Sequence, residues 1–235
     1  MASRIRVAIL DDHQGIVDGY RYRLGQTPTI EIVATAAYGE ALEPLLAEHP
    51  ADVLILDVRV PTSPTNPNAY PILHLIPKLL QRYPNLAVLV ISVDGERALI
   101  QAVMKAGASG YILKDDQGSI EELGTILLSL VKGGIHFSRQ AYEQWGQPQG
   151  DAELSTLTPR QIEALSLCAA YPDETTANLA KRLGVTNSGM RNLLSTAYIR
   201  LSVRSRSAAI AKAWQSGLIA PLHDGRRTKD RSLPS

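Results

Sequence analysis

The sequence predicts an α/β fold, a doubly wound parallel sheet, followed by a smaller all-α domain. Short apolar runs alternate with segments of helical periodicity through the first half of the 235-residue chain, as in repeated βα units. Residues 53–56 are four branched apolar residues in succession, typical of a strand buried on both faces. Charge also divides the chain: residues 1–154 carry 12 Lys/Arg and 18 Asp/Glu, whereas residues 155–220 carry 8 and 3. The basic second half favours an anionic partner.

The composition is that of a soluble globular protein, with 45% apolar and 20% charged residues. No apolar run reaches the 18 residues that a membrane span needs, and the N-terminus leads into a strand without a signal-peptide pattern. The single cysteine, Cys168, excludes an internal disulfide and fits a reducing compartment. We therefore expect a cytoplasmic protein.

Five strands and five helices are predicted for the first domain. The strands are 5–10, 30–35, 52–57, 86–91 and 110–113, and the helices are 13–25, 39–48, 71–82, 96–106 and 119–131. Ser119 is the expected N-cap of the last helix, which ends before Gly133-Gly134.

Polar side chains end four of these strands. Asp11 and Asp12 follow the first strand, Asp57 ends the third, Ser92 the fourth and Lys114 the fifth. Because the carboxyl ends of parallel strands meet at one edge of a sheet, we expect these groups to converge. Two like charges about 4 Å apart cost about 4 kcal/mol at an effective dielectric of about 20, so the cluster requires a cation or a raised pKa, and hard oxygen ligands suit Mg²⁺. The alternatives are local roles: a turn residue, a strand-end cap and a solvated charge.

A metal at this edge would orient a phosphoryl donor toward Asp57, which would act as the nucleophile. Lys114 and the Ser92 hydroxyl would then bind the phosphoryl oxygens. A dehalogenase-like phosphatase uses a similar set, but it needs a second Asp two residues after the nucleophile. Arg59 stands there, so we do not predict an enzyme.

Residues 1–132 resemble a response-regulator receiver domain. The resemblance rests on Asp11-Asp12, Asp57, Ser92, Tyr111 and Lys114. It implies a flavodoxin-like fold with strand order 2-1-3-4-5 and phosphoryl transfer from a histidine kinase to Asp57. It also implies Mg²⁺ bound in the pocket of Asp11, Asp12, Asp57 and the Arg59 backbone carbonyl. Ser92 and Tyr111 would move when Asp57 is phosphorylated.

Two features depart from the family pattern. An insertion, defined here as residues 61–71, follows the acceptor strand and contains several prolines, which predict an extended loop and not a helix. Three interpretations of the insertion are open: it covers the acceptor site, it binds a partner, or it is a tolerated surface insertion. Val93 follows Ser92 where the family prefers Ala or Gly. We expect this branched side chain to narrow access to the phosphoryl group.

Residues 133–154 are polar and contain Gly and Pro, and they are interpreted as a flexible linker. Within them, 137–145 could form a short helix, with Trp145 as a packing anchor. The tail, 220–235, is short and mildly basic, and we expect it to be disordered.

The second domain, 155–219, has four predicted helices. They are 159–170 after the N-cap Thr158, then 175–183, 187–201 and 205–217. The second and third helices, joined through Gly184, are typical of a helix-turn-helix, whose second helix enters the major groove of DNA. The predicted DNA contacts of that region are Lys181, Arg182, Asn187, Ser188, Arg191, Asn192, Ser195 and Arg200.

Three stretches of this domain, 157–163, 179–185 and 201–210, resemble the LuxR-type domain of NarL/FixJ regulators. The resemblance places DNA contacts on Arg191, Asn192 and Ser195, and a homodimer helix on 205–217. It departs from the family at Gly189 and Leu193 of the recognition helix. Together the two resemblances imply a two-component response regulator whose phosphorylation controls dimerisation and DNA binding. The alternative is a phosphorylation-independent regulator switched by a ligand or partner at the insertion.

Overall fold

The computed structural model describes residues 4–146 and 157–220. Its centre is a six-stranded sheet of β1 (Ile5–Leu10), β2 (Ile30–Ala36), β3 (Val53–Leu56), β6 (Ala87–Ser92), β7 (Gly110–Leu113) and β8 (His136–Phe137), all parallel and ordered β2-β1-β3-β6-β7-β8. The doubly wound fold and its five predicted strands are confirmed, in the order expected. The sixth strand, β8, was not predicted.

Helices cover both faces of the sheet. They are α1 (Gln14–Leu24), α2 (Leu42–Glu48), α3 (Ile72–Arg82), α4 (Arg97–Lys105), α5 (Gln117–Glu121), α6 (Leu123–Leu130) and α7 (Arg139–Gly146), with a single 3₁₀ turn at Gly39–Ala41. One core packs Val7 and Ile9 of β1 with α1 and α6, and the other packs Ala8 and Leu10 with α2, α3 and α4. Because both faces of the sheet are covered, β3 and β7 are buried and apolar along their whole length.

The predicted helix 119–131 is wrong in detail, because it is divided into α5 and α6. The N-cap is Asp116 and not Ser119: the Asp116 side chain accepts a hydrogen bond from the Ser119 backbone N–H at 2.9 Å. An ionised carboxylate at this position also interacts favourably with the helix dipole.

Residues 136–146 belong to the receiver and not to a flexible linker. Strand β8 pairs Phe137 with Tyr111 of β7, and the following helix α7 buries Ala141 completely. Trp145 packs against Phe137 with ring centroids 5.5 Å apart, as its predicted anchoring role requires. The polar composition of this stretch concealed a short edge strand and an amphipathic helix. The remainder of the predicted linker, from 147 to 154, lies outside the described residues, as does the predicted tail from 221 onwards.

The insertion forms an antiparallel hairpin of β4 (Pro61–Ser63) and β5 (Asn66–Ala69). The extended conformation was predicted, whereas the pairing was not. The Thr62 hydroxyl, which is fully buried, donates to the Asn68 carbonyl at 2.8 Å and closes the hairpin.

The second domain contains α8 (Pro159–Ala170), α9 (Thr176–Leu183), α10 (Asn187–Arg200) and α11 (Arg206–Gln215). Thr158 caps α8 in a reciprocal capping box with Gln161. Gly184 ends α9 in the left-handed region at φ +71°, where a residue without Cβ is unstrained. Within the described ranges, 4–146 and 157–220, no helix has the length and apolarity to cross a lipid bilayer.

Candidate functional site

The polar strand ends converge at the carboxyl edge of the sheet, as predicted. The Lys114 ammonium lies 2.7 Å from Asp11 Oδ2 and 2.7 Å from Asp57 Oδ2. Strands β1 and β3 are neighbours in register, and the Asp57 backbone N–H donates to the Leu10 carbonyl at 2.9 Å. Both carboxylates are nearly inaccessible, Asp11 at 4% and Asp57 at 3% exposure. The site is therefore a recessed anionic pocket with one cation bridging its two deepest carboxylates.

Burial governs the protonation of this pocket. Loss of solvent raises the pKa of Asp57 above its ordinary value, even though Lys114 favours the ionised form. Burial also opposes the charge on Lys114, but the Asp57 and Asp11 carboxylates outweigh it and hold the pKa of this ammonium above its usual value. A second cation in the pocket would stabilise the ionised Asp57 further.

Four side chains of the pocket lie close enough to surround one ion. Ligand atoms of Asp11, Asp12, His13 and Asp57 all lie within 4.8 Å of one another. His13 was not predicted: its Nδ1 lies 3.0 Å from Asp12 Oδ1, and its backbone N–H donates to Asp11 Oδ1 at 2.9 Å. Three carboxylates are the hard oxygen donors that Mg²⁺ prefers, so the residues present fit this ion.

A buried carboxylate that the sequence interpretation missed, Asp94, lies in the loop after β6. It is 3% exposed and forms a bidentate ion pair with Arg59, whose Nε lies 2.7 Å from Asp94 Oδ2. Asp94 N donates to Ser92 Oγ at 3.1 Å, and Ser92 Oγ lies 3.4 Å from Asp94 Oδ2. The charge of the Arg59 guanidinium is thus neutralised by Asp94. The position of Asp94, two residues beyond the Ser92 strand end, was the available signal.

The loop after β6 also fixes the predicted switch residue, Tyr111 of β7. Tyr111 is completely buried, and its hydroxyl donates to the Asp94 backbone carbonyl at 2.6 Å. Burial raises the pKa of this phenol far above its ordinary value. In this structure the ring of Tyr111 therefore lies inside the receiver, fixed through Asp94.

Helix α10, the predicted recognition helix, presents its predicted polar face to solvent. Its inner face is formed by Met190, Leu194 and Ala197, all buried. The predicted base-contacting and phosphate-contacting residues of the helix are exposed: Asn187, Ser188, Arg191, Asn192 and Ser195. Lys181 of α9 is exposed as well.

Two of the residues predicted to contact DNA, Arg182 and Arg200, have side-chain partners within the chain. The Arg182 guanidinium pairs with Glu174 at 2.8 Å and lies over the Tyr171 ring, 3.8 Å from its centroid. Arg200 donates to Gln161 Oε1 at 3.0 Å and lines a cleft between α8 and the receiver helices α3 and α4. In this structure both guanidinium groups thus have partners within the chain, and because both residues are exposed their DNA contacts stay predictions.

Comparison with known proteins gives the same two-part organisation. The response regulator receiver domain family matches residues 7–123. The transcriptional regulatory protein DegU of Brevibacillus brevis is 25% identical over 92% of this chain and 96% of its own length. The DNA-binding transcriptional activator DevR/DosR of Mycobacterium tuberculosis is 29% identical over 94% of this chain and 99% of its own.

The solved structures that resemble the chain include RcsB from Salmonella enterica serovar Typhimurium bound to promoter rprA in the presence of phosphomimetic BeF3−. That structure has a TM-score of 0.62 at 20% identity and covers 89% of this chain and 98% of the RcsB chain. At this identity the likeness establishes the fold of both domains and the order in which they follow one another along the chain.

Proposed function

This chain belongs to the NarL/FixJ-type response regulators, and we propose that phosphoryl transfer from a sensor histidine kinase to Asp57 controls its dimerisation and its sequence-specific DNA binding. The observation that carries the proposal is the bridge from Lys114 to Asp11 and Asp57, at 2.7 Å on each side. A recessed carboxylate beside a fixed ammonium is a nucleophile with a ready counter-charge for the incoming phosphoryl group.

In the transfer step an Asp57 carboxylate oxygen attacks the phosphorus of the kinase phosphohistidine. The new P–O bond forms as the P–N bond breaks, the bonding electrons stay on the released nitrogen, and this nitrogen takes a proton from solvent so that the imidazole leaves neutral. Lys114 would stay within reach of the phosphoryl oxygens, and the Ser92 hydroxyl would exchange Asp94 for the phosphoryl group. That exchange would loosen the loop that holds Tyr111, which links chemistry at Asp57 to the α4–β7–α5 face.

Receiver domains bind Mg²⁺ in an acidic pocket, and in this chain Asp11, Asp12 and Asp57 would hold it, with the Arg59 backbone carbonyl as the further expected ligand. The ion supplies charge neutralisation for the approaching phosphoryl oxygens. The backbone N–H of Arg59 donates to Asp57 Oδ1 at 3.2 Å, and this hydrogen bond orients the carboxylate.

Removal of Mg²⁺ is expected to stop phosphorylation of the protein by acetyl phosphate. Asp12→Asn, which removes a charged ligand, should raise the Mg²⁺ concentration required by at least about 10–100-fold, the loss of metal affinity that changing an outer-shell partner of a ligand already causes. Intact-mass spectrometry across a Mg²⁺ titration measures both effects. Asp18→Asn, on the exposed surface of α1, is the matched control. Identical Mg²⁺ titration curves for Asp12→Asn and Asp18→Asn would show that Asp12 is not a metal ligand.

Replacing Val93 with Ala is expected to shorten the lifetime of the phosphoryl group on Asp57. Val93 is 62% exposed and follows Ser92 directly, so we expect its branched side chain to hinder the approach of water to a phosphoryl group on Asp57. Loss of label over time after removal of acetyl phosphate measures the lifetime. Equal half-lives for the two proteins would show that Val93 does not limit access.

The second domain supplies the DNA-binding surface in this proposal. Exposed Arg191, Asn192 and Ser195 lie along one face of α10, where side chains can reach base edges and phosphates. Helix α11 is the proposed dimer helix. A dimer would place two recognition helices on successive turns of the DNA groove.

One observation favours a second candidate, a regulator that acts without phosphorylation. Tyr111 already lies inside the receiver, held by Asp94, which is itself neutralised by Arg59. If this arrangement is the DNA-binding one, BeF3− with Mg²⁺ would leave the DNA affinity unchanged. An affinity increase on addition of BeF3− and Mg²⁺ distinguishes the first proposal from the second.

A further inference from the structure

The insertion is anchored firmly to the receiver. Besides the buried Thr62, the insertion has one aromatic residue, Tyr70. Its ring packs over Gly39 so closely that a Cβ at Gly39 would come within 1.9 Å of the ring. Burial raises the pKa of Tyr70 to about 12, and the Tyr70 backbone N–H donates to the Val60 carbonyl at 2.9 Å. The hairpin therefore projects from the receiver in one orientation.

Two side-chain amides of this hairpin contact the helical domain. Asn66 Nδ2 donates to the Ala170 carbonyl at 2.9 Å, and Asn68 Nδ2 lies 3.4 Å from the same oxygen. Asn68 also donates to Asn66 Oδ1 from its backbone N–H, at 3.1 Å, which fixes the Asn66 amide with its NH₂ toward α8. Ala170 is the last residue of α8, and its carbonyl lacks an intrahelical partner.

Helix α3 of the receiver binds the end of α9 in a similar way. His74 Nε2 lies 3.1 Å from the Arg182 carbonyl, and Lys78 Nζ lies 3.4 Å from it. A carbonyl only accepts, so His74 must carry its proton on Nε2 to bond there. The other ring nitrogen of His74 is 3.5 Å from the Glu163 carboxylate of α8. His74 is largely buried, at 8% exposure.

The charge arrangement of these contacts is complementary. The receiver side presents amide, imidazole and ammonium donors, and the helical domain presents the negative, C-terminal ends of α8 and α9. A further contact, from the Tyr171 hydroxyl to Glu40 Oε1 at 3.1 Å, continues the interface beside α8. Exposed Arg191 and Asn192 of α10 lie outside it.

We propose that the insertion is a docking element for the chain's own DNA-binding domain: together with His74 and Lys78 it caps the C-terminal ends of α8 and α9 and holds that domain on the receiver. The docked arrangement leaves the recognition helix accessible. It also connects the phosphoacceptor edge to α8 through a short path, since β4 begins four residues after Asp57 and Val58 and Val60 between them are fully buried. The inference stands apart from phosphoryl chemistry at Asp57.

The test is small-angle X-ray scattering of the full chain, recorded on the monomer fraction eluting from a size-exclusion column. The variants are Asn66→Asp, which replaces the amide donor by an acceptor of the same size facing the Ala170 carbonyl, and Asn66→Asp combined with His74→Ala. Thr65→Ala, on the exposed hairpin tip, is the matched control. Each lost interaction should shift the docking equilibrium by roughly three- to tenfold.

The wild type and Thr65→Ala are expected to give one compact scattering profile that the structure fits. The radius of gyration should increase in Asn66→Asp and increase further in the double variant. Far-UV circular dichroism checks that each variant keeps its helices, and the single variant serves if the double one does not fold. A folded Asn66→Asp and double variant with wild-type scattering would overturn the inference, as would a wild type that already scatters as two separate domains. Acetyl phosphate labelling of Asp57 in the same variants is expected to persist, so a failure here leaves the proposed function standing.

Discussion

Replacing Asp57 with Asn is expected to abolish the mass increase that acetyl phosphate and Mg²⁺ produce in the wild-type protein. Asn keeps the size of the side chain and an oxygen that can accept the Arg59 backbone N–H, but a neutral amide is not a nucleophile toward phosphorus. The labelled fraction, measured by intact-mass spectrometry, should fall from most of the protein to background. This is the largest effect expected of any substitution in the receiver.

The control for this variant is Asp52→Asn. Asp52 immediately precedes β3, so it lies at the opposite end of the strand that delivers Asp57, and it pairs with Arg6 at 2.8 Å. Asp52→Asn should be labelled as the wild type is. If Asp57→Asn retained the label, the phosphoacceptor would be another carboxylate of the pocket, of which Asp11 and Asp12 are the nearest.

Replacing Arg191 with Ala is expected to weaken binding to a selected DNA site by about 1–3 kcal/mol, roughly five- to 150-fold. Arg191 is exposed on the outer face of α10, one residue after the buried Met190 that fixes the helix in the domain. The guanidinium can reach base edges or phosphates without a change of fold. Fluorescence anisotropy on a site obtained by selection measures the affinity, at one fixed salt concentration because phosphate contacts are salt-dependent.

The matched control is Arg23→Ala, which removes the same charge from an exposed position of α1. Helix α1 packs in the core on the other side of the sheet from α3, the helix that contacts α8. Arg23→Ala should therefore bind DNA as the wild type does. Equal affinities for Arg191→Ala and Arg23→Ala would exclude Arg191 from the DNA interface.

The fold could be predicted from the sequence because the central strands β3, β6 and β7 are buried and therefore appear as nearly continuous apolar runs. Edge strands lack such a run, so the sequence pattern does not identify them. Strand β8 is only His136–Phe137, and its identity depends on pairing with β7, a contact that no local pattern encodes. The start of α5 likewise depends on Asp116, whose side chain accepts the Ser119 backbone N–H and so caps the helix in place of Ser119.

The phosphoacceptor pocket could be predicted because polar residues at parallel strand ends must share one edge of the sheet. Asp94 and His13 were missed, since both lie in loops whose course the strand pattern does not determine. The side-chain partners of Arg182 and Arg200, which are Glu174 and Gln161, depend on tertiary packing of the helical domain that the helix pattern does not encode. Amphipathic patterns identify an outward face of a helix, but not whether that face meets DNA or the receiver.

The central claim is that a phosphoryl group at Asp57 changes the affinity of the protein for DNA. The most direct measurement is the dissociation constant for a selected site with and without BeF3− and Mg²⁺, in the wild type and in Asp57→Asn. The account predicts tighter binding by the wild type when both additions are present and no change in Asp57→Asn. Equal dissociation constants for the wild type under the two conditions, with the BeF3− adduct verified on the protein, would contradict it.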